Sequence, residues 1–484
     1  MKFTFYGGAG EIGGNKILLE SPAARVYLDF GESFDFGEEY FLPEQYLAPR
    51  SADGLAPYFE LDLIPKIEGL YSQDMLKHTS VDYRRPDVDG VFLSHHHSDH
   101  CNHLKFLDES IPVYMGHGTH AIMDSYAHLY PSFGKYGDHD VREFCSGDEV
   151  AVKDLTFKPV HVEHSTPGAY GYIIDSPEGN IVYTGDLRMH GQAARMTDEF
   201  IDEARKSSPE VMLCEGTRMP LEGEAEEENF TEEGVKEKVA GVLQDSRGLV
   251  LVHFAMSNID RFHSIWEACC DENRKLVVDP RYAYLLDVLG DKIDWIPDPR
   301  SELCLYYRLN SKGGYGEQDY RNVFRDYYGQ QLSDEWYNIS SNGRRSRKRG
   351  MWRCREDMCD NNVTYREIRE NPSDYALFTN FTRLIELAHI KPENAEYIYS
   401  SSEHFLEGEE NRRMRTVMKN WLKHFQIPLH KAHCSGHAAP EDIRDMVKKI
   451  KPDKLIPIHT LNPEKFRDFH DNIVMPETNK TIEA

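Results

Sequence analysis

The 484-residue chain has no Cys-x-x-Cys pair among its nine cysteines, which excludes a zinc ribbon and a disulfide-framed secreted scaffold. The cysteines, spread from Cys101 to Cys434, are expected to be reduced and structural. No apolar run approaches the ~18 residues of a membrane span, so no membrane-inserted segment is expected. The start, Met1-Lys2-Phe3-Thr4-Phe5-Tyr6-Gly7-Gly8, reaches glycine before any apolar signal region forms, and a cytoplasmic location is expected. Positive charge is scarce as well: 56 Lys and Arg stand against 82 Asp and Glu, a net charge of −26. That sum repels a polyanion unless cations are concentrated locally, and it equally fits a salt-rich cytoplasm.

Histidine is plentiful: 23 in all, five of them between Ser94 and His103. Imidazole is the commonest protein metal ligand, so this cluster is where function is sought.

Up to about residue 215, short β-branched runs alternate with glycine-bearing turns, among them Lys2–Tyr6, Lys16–Leu19, Arg25–Phe30, Gly90–Ser94, Leu155–Val160 and Asn180–Tyr183. Residues 32–86, rich in Tyr, Pro, Asp and Glu, read as an insertion. Seven glutamates from Glu222 to Glu233 then lead into Thr231, an N-cap candidate for a helix to about Gln244. Gly248–Phe254, a helix Ile259–Cys270, Lys275–Asp279, a helix Tyr282–Leu289 and Tyr397–Ser400 suggest a parallel α/β layer. No internal repeat is present. The least regular stretch, 300–375, holds seven basic residues in the twelve from Arg344 to Arg355. It reads either as a solvated loop or as a phosphate-contacting patch with Trp352 to stack. On the second reading, alanine at Arg344, Arg345, Arg347, Lys348 and Arg349 weakens nucleic-acid binding and flattens its salt dependence; an unchanged salt slope restores the first.

Directly after the buried-looking strand Val91-Phe92-Leu93 comes Ser94-His95-His96-His97-Ser98-Asp99-His100, which sets His95, His97, Asp99 and His100 in the order His-x-His-x-Asp-His. His95 and His97 can serve one ion while the turn sends Asp99 and His100 toward a neighbour. Nitrogen and carboxylate ligands suit zinc or manganese. Downstream, His164 lies in His161-Val162-Glu163-His164-Ser165-Thr166-Pro167-Gly168, and Asp186 ends the strand Val182-Tyr183-Thr184-Gly185-Asp186, placed to bridge two cations.

These segments, with Leu28-Asp29-Phe30-Gly31, resemble the metallo-β-lactamase superfamily. The resemblance implies an αβ/βα sandwich with two divalent metal ions, zinc first and manganese second. It assigns His95, His97 and His164 to one metal, Asp99, His100 and a further histidine to the other, and Asp186 to both. His96, His103 and His161 match no ligand position. Glu215 in Leu213-Cys214-Glu215-Gly216-Thr217-Arg218, His437 in His433-Cys434-Ser435-Gly436-His437-Ala438 and His459 in Pro457-Ile458-His459-Thr460 look like motifs A, B and C of the β-CASP nucleases. Those enzymes insert an α/β β-CASP domain after motif A.

Within that branch the likeness is to ribonuclease J, on Gly7-Gly8-Ala9-Gly10-Glu11-Ile12-Gly13, His164–Gly168, Ala255-Met256-Ser257-Asn258-Ile259, Ser400-Ser401-Ser402 and Ser435–Ala438. It covers about 1–31, 88–215, 248–290 and 395–465. The expected organisation is 1–215 for the first part of the metallo-β-lactamase domain, 216–424 for the insert and 425–484 for the returning part. Ribonucleases J commonly carry a further C-terminal domain used in association, and about twenty residues follow Asn462 here. A homodimer is the assembly considered.

The resemblance implies hydrolysis of RNA phosphodiester bonds, as a 5′-exonuclease, an endonuclease or both, by a hydroxide that the two metals activate. Asp99 orients that hydroxide, His437 is the general acid or phosphate donor, Glu215 supports a ligand histidine, and His459 completes the second metal's shell. Ser257, Asn258, Ser400, Ser401, Ser402, Ser435, Gly436 and Ala438 are candidate phosphate contacts on single-stranded, 5′-monophosphorylated RNA, or else ordinary turn residues. The glycine-rich start reads as a turn, since no Walker lysine-serine pair follows. Histidine at motif C resembles the RNA-processing members; the DNA-repair members carry valine. Other readings are a metallohydrolase of a small ester or nucleotide, a DNA nuclease, or a binding protein without catalysis.

Overall fold

The computed structural model describes residues 1–37, 39–41, 52–130, 134–220, 230–299, 301–306, 308–309, 320–321, 324–325, 351–352, 361–402, 406 and 411–483. The glutamate run 222–228 and, apart from Met351 and Trp352, the basic run 344–355 lie outside them.

The chain divides into two compact units, one of residues 1–123, 132–229 and 435–484, the other of 124–131 and 230–434. The first contains two sheets. One runs in the order Lys480–Glu483, Lys2–Gly7, Lys16–Glu20, Arg25–Leu28, Gly90–Phe92, Val113–Gly116, Val141–Phe144. The other runs Lys454–Ile458, Val211–Glu215, Gly179–Tyr183, Tyr170–Ser176, Leu155–His161, Val150–Val152. Their facing sides interlock in one apolar layer that includes Phe3, Phe5, Ile17, Tyr172, Tyr183 and Leu213. Phe92 from the first sheet stacks on Phe157 from the second, ring centres 3.6 Å apart. On its other side the first sheet packs against residues of 55–76 and 104–123, and the second against the helices Ala194–Ser207 and Pro440–Ile450. Both helices carry an apolar stripe: Phe200, Ile201 and Ala204 on one, Ile443, Met446, Val447 and Ile450 on the other. The result is a four-layer αβ/βα sandwich, a metallo-β-lactamase architecture.

The second unit holds a seven-stranded sheet in the order Asn362–Val363, Cys304–Tyr306, Lys275–Val278, Tyr375–Thr379, Val250–His253, Glu396–Tyr399, Leu429–Lys431, every pair parallel. Its helices start where short polar side chains cap them. Thr231 accepts from Gly234 N at the head of Glu232–Asp245, Asn258 from Arg261 N at Ile259–Asp271, and Asp279 from Arg281 N at Pro280–Gly290. Leu429–Lys431 corrects one sequence expectation. Read as part of the returning segment from 425, it is the edge strand of this sheet, paired in register with Tyr397–Tyr399. A strand of three residues has no pattern of its own that says which sheet it joins.

Candidate metal centre

The loop that follows Gly90–Phe92 turns at His97, whose extended backbone caps the short helix Ser98–Cys101, so that His95 and His97 precede the helix while Asp99 and His100 ride on it. That helix is bound to the segment after Arg25–Leu28: Phe30 N donates to His100 O at 2.8 Å and Glu32 N to Ser98 O at 3.0 Å. The close approach demands glycine at 31, where an added Cβ would lie 1.7 Å from Asp99 O and 2.3 Å from His100 N. Gly31→Ala is expected to lower stability in denaturant unfolding by at least about 3 kcal/mol, since backbone on both sides must move. A loss under about 1 kcal/mol would show that the loop yields freely.

Two groups of ligand atoms converge here, each within 4.8 Å: His95, His97 and His164 in one, Asp99, His100, Asp186 and His459 in the other. In the first, His95 Nε2 and His164 Nε2 lie 2.9 Å and 3.0 Å from His97 Nδ1. Burial, then neighbouring imidazoles, hold His95 and His164 well below the usual histidine range. Burial likewise lowers His97 to about 4, against the pull of Asp99 and Asp186. Neutral imidazoles packed this closely turn lone pairs toward one point, and their spacing approaches the ~3.3 Å edge of a tetrahedral site with ~2.0–2.1 Å bonds to nitrogen.

In the second group His459 Nε2 is 3.0 Å from Asp99 Oδ2, and His100 Nε2 is 3.0 Å from Asp186 Oδ2. Asp186 Oδ2 is also 3.7 Å from His95 Nε2 and 3.7 Å from His459 Nε2, so one carboxylate oxygen faces both groups. Asp186 Oδ1 is buried without a hydrogen-bond partner among the described residues. Burial opposes the charge on Asp99, but His100 and His459 outweigh it and hold the carboxyl well below its ordinary range. The donor set fits divalent metal binding: imidazole nitrogens and carboxylate oxygens converge within 4.8 Å of one another in each group.

The tautomers are set from behind. Asp29 Oδ2 accepts a hydrogen bond from His100 Nδ1 at 2.8 Å and also from Ser94 Oγ and Tyr183 Oη, while Oδ1 accepts from Ser94 N. His100 Nε2 is thereby left for the metal position. His459 is fixed similarly: its Nδ1 lies 2.8 Å from Thr217 Oγ1, which donates to Glu215 Oε2 at 2.8 Å. Glu215 also accepts from Leu187 N and Thr217 N and holds His437 Nδ1 at 3.2 Å. Its contact with a ligand histidine therefore runs through a hydroxyl, while its direct imidazole partner is His437.

His437 sits in a group with His164 and Asp186. Burial works against its charge, yet Glu215 and Asp186 prevail and push it up to about 9, so the ring carries two protons at neutral pH. With Nδ1 on Glu215, Nε2 is the nitrogen left to reach a substrate. The loop bearing His437 is anchored from below: Arg188 and His190 donate to Ser435 O, and buried Glu163 pairs with Arg188 and accepts from Gly191 N and Ala193 N. The glycine-rich start is a turn, as expected, and it abuts the site: His459 N donates to Gly8 O, and Asn15 N to Asp99 O.

Two candidate phosphate contacts are corrected. Ala438 N is committed to Leu187 O at 2.7 Å, and the residue is buried. Ser400, 1% exposed, uses its hydroxyl on Ala432 O and receives Arg261 Nη1. Both brace loops from inside. Ser435 Oγ accepts from His437 N, and Gly436 O meets His164 Nδ1. In the second unit Asn258 is spent on its helix cap, Ser257 bonds the Tyr126 hydroxyl, Ser402 O accepts from Tyr399, and Ser401 is partly exposed. Sequence reasoning missed Asp29, Thr217, Arg188 and Glu163. Asp29 stood in the Leu28–Gly31 run and Thr217 two residues past Glu215, but nothing local gave them roles.

Two segments match family models: residues 64–222 a "Beta-lactamase superfamily domain" and residues 429–475 a "Zn-dependent metallo-hydrolase RNA specificity domain". Fold, site and these matches make the chain a member of the metallo-β-lactamase superfamily. Within it, the relatives that the chain resembles are ribonucleases J. The chain is 22% identical over 473 residues to ribonuclease J of Helicobacter pylori, covering 95% of this chain and 56% of that one. It is 21% identical to ribonuclease J of Mycoplasma pneumoniae, over 95% of this chain and 67% of the relative. Ribonuclease J 2 of Streptococcus pyogenes is 28% identical over 197 residues, 40% of this chain and 34% of that one. The chain thus spans between a third and two thirds of the length of these relatives. A solved structure of a protein of unknown function from Enterococcus faecalis shares the fold, with a TM-score of 0.74 and 22% identity over 99% of both chains.

Proposed function

We propose that the chain is a metal-dependent ribonuclease of the β-CASP type, hydrolysing phosphodiester bonds of single-stranded RNA with two divalent cations, zinc first. The observation that carries the reading is the convergence of seven ligand residues in two groups, with Asp186 Oδ2 of the second group 3.7 Å from His95 of the first and His437 beside them on Glu215. When bound, such a pair of cations supplies a nucleophile at neutral pH and neutralises charge that develops on the phosphoryl oxygens. Asp99, held ionised, accepts a hydrogen bond from the attacking group and orients it in line with phosphorus. His437 donates from Nε2 to a phosphate oxygen or protonates the departing one, and Glu215 keeps the ring charged and aimed. Asp29 and Thr217 hold Nδ1 of His100 and His459 and so aim their Nε2 atoms at the metal position. A cytoplasmic location and a homodimer complete the proposal; among the described residues no helix is long and apolar enough to cross a membrane.

The test is incubation of metal-loaded chain with RNAs labelled at either end and bearing a 5′-monophosphate or a 5′-triphosphate, beside Asp99→Ala. Mononucleotides released from a 5′-labelled monophosphate RNA mean exonuclease; internal fragments mean endonuclease. Cleavage unchanged by Asp99→Ala, or cleavage of small esters alone, would overturn the reading.

A further inference from the structure

A buried ion pair in the second unit has no part in the function proposed above. Arg261, the third residue of the helix Ile259–Asp271, and Glu232, the first of Glu232–Asp245, are both 0% exposed. Arg261 Nε and Nη2 donate to the two carboxylate oxygens of Glu232 at 2.6 Å and 3.1 Å. The same guanidinium reaches two loops. Its Nη1 donates to Ser400 O at 2.8 Å and to His433 Nδ1 at 3.2 Å, and its Nη2 to Cys434 O at 3.2 Å. Cys434 Sγ adds a bond to Glu232 Oε2 at 3.0 Å. Taking two charges out of water costs about as much as their attraction returns, and an apolar pair of similar volume commonly serves stability as well. What the charged pair supplies is a rigid fork of donors at one point of the chain.

That point lies just before the loop of the proposed acid: Cys434 ends the second unit, and Ser435 begins the returning part of the first. Cys434 O belongs to the peptide plane that enters Ser435, and Ser435 O to the plane that leaves it. Arg261 holds one; Arg188 and His190 hold the other. A residue has two soft dihedrals, so holding the planes on both sides leaves Ser435 one orientation. Its hydroxyl oxygen accepts from His437 N at 3.1 Å. We infer that Arg261, kept in plane by Glu232, is a positioning residue for His437: it fixes the entry to the loop that carries the acid and acts through that loop rather than on RNA itself. The inference rests on the ribonuclease reading and adds what aims its acid.

A mutant cycle in the metal-loaded chain tests it. Arg261→Met/Glu232→Leu removes both charges together, since losing one alone strands the other in the core. Single-turnover cleavage of a 5′-monophosphorylated RNA at saturating RNA is expected to slow about 10²-fold, the scale of a misplaced catalytic group, with about two metal ions still bound. In a His437→Ala background the same two changes are expected to cost less than about twofold, because the group they aim is gone. Arg261→Lys keeps the charge opposite Glu232 but has no fork to span Ser400, His433 and Cys434. It is expected to slow cleavage about tenfold with His437 present and not in its absence, and it decides the matter if the doubly changed chain does not fold. A loss under about threefold with His437 present overturns the inference, as does a loss of equal size in the His437→Ala background, which would mean a structural role. Loss of bound metal overturns it too. Failure of the unaltered chain to cleave RNA is a distinct result that sinks the ribonuclease reading itself.

Discussion

Asp186→Asn is expected to lower RNA cleavage by at least about 10³-fold and to reduce bound metal from about two ions per chain to one or fewer. One carboxylate oxygen there faces His100 Nε2 at 3.0 Å and both His95 and His459 Nε2 at 3.7 Å, so both proposed metal positions depend on it. Asparagine keeps the size but removes the charge and turns one of the two atoms into an N–H donor, which cannot ligate a cation. Metal analysis and single-turnover cleavage on the same preparation check it. Full metal content with normal cleavage would show that the two groups do not share Asp186.

The second large effect separates chemistry from metal binding. His437→Ala is expected to slow cleavage by about 10²–10⁴-fold, the range for a lost acid–base group, while metal content stays unchanged. His437 lies at the rim of the ligand groups, its side chain 20% exposed, and its stated tie is to Glu215. Glu215→Gln should act through the same ring. The charged form of His437 is favoured up to about pH 9 because Glu215 and Asp186 outweigh burial, so losing the Glu215 charge brings the alkaline loss of activity to lower pH. An unshifted alkaline limb in Glu215→Gln would remove His437 from the acid role. Metal loss in His437→Ala would make it a ligand instead.

Much of the site was legible because its chemistry is written locally. The His-x-His-x-Asp-His run needs only a strand end and one turn of helix to divide its side chains between two ions, and the structure sends His95 and His97 to one group and Asp99 and His100 to the other. His164 and Asp186 were offered by their own segments, their assignment to particular metals and His459 itself entered by resemblance, and all three join the same groups. The supporting residues were hidden because their roles come from the tertiary fold. Asp29 reaches His100 because its backbone takes φ 57° at the end of a strand that pairs beside Gly90–Phe92, which no spacing announces. Thr217 matters because the parallel pairing of Val211–Glu215 with Lys454–Ile458 carries it level with His459. Serines misled for a related reason: Ser400-Ser401-Ser402 reads the same whether its hydroxyls face a ligand or, like that of Ser400, the inside of a loop.

The fold followed a similar division. Short β-branched runs announced the sandwich strands and Thr231 announced the helix at 232, while the next two helices were read from strand–helix alternation and their caps, Asn258 and Asp279, emerge in the structure. The point at which the chain leaves the inserted sheet was read too early, since Leu429–Lys431 carries no mark of its partner.

The most direct test of the central claim is a titration of metal-free chain with Zn²⁺ in which bound metal and cleavage of a 5′-monophosphorylated RNA are followed together. The account predicts no cleavage without metal and full activity only as about two equivalents bind. Full cleavage of RNA by the metal-free chain, or saturation of activity at one equivalent, would contradict it.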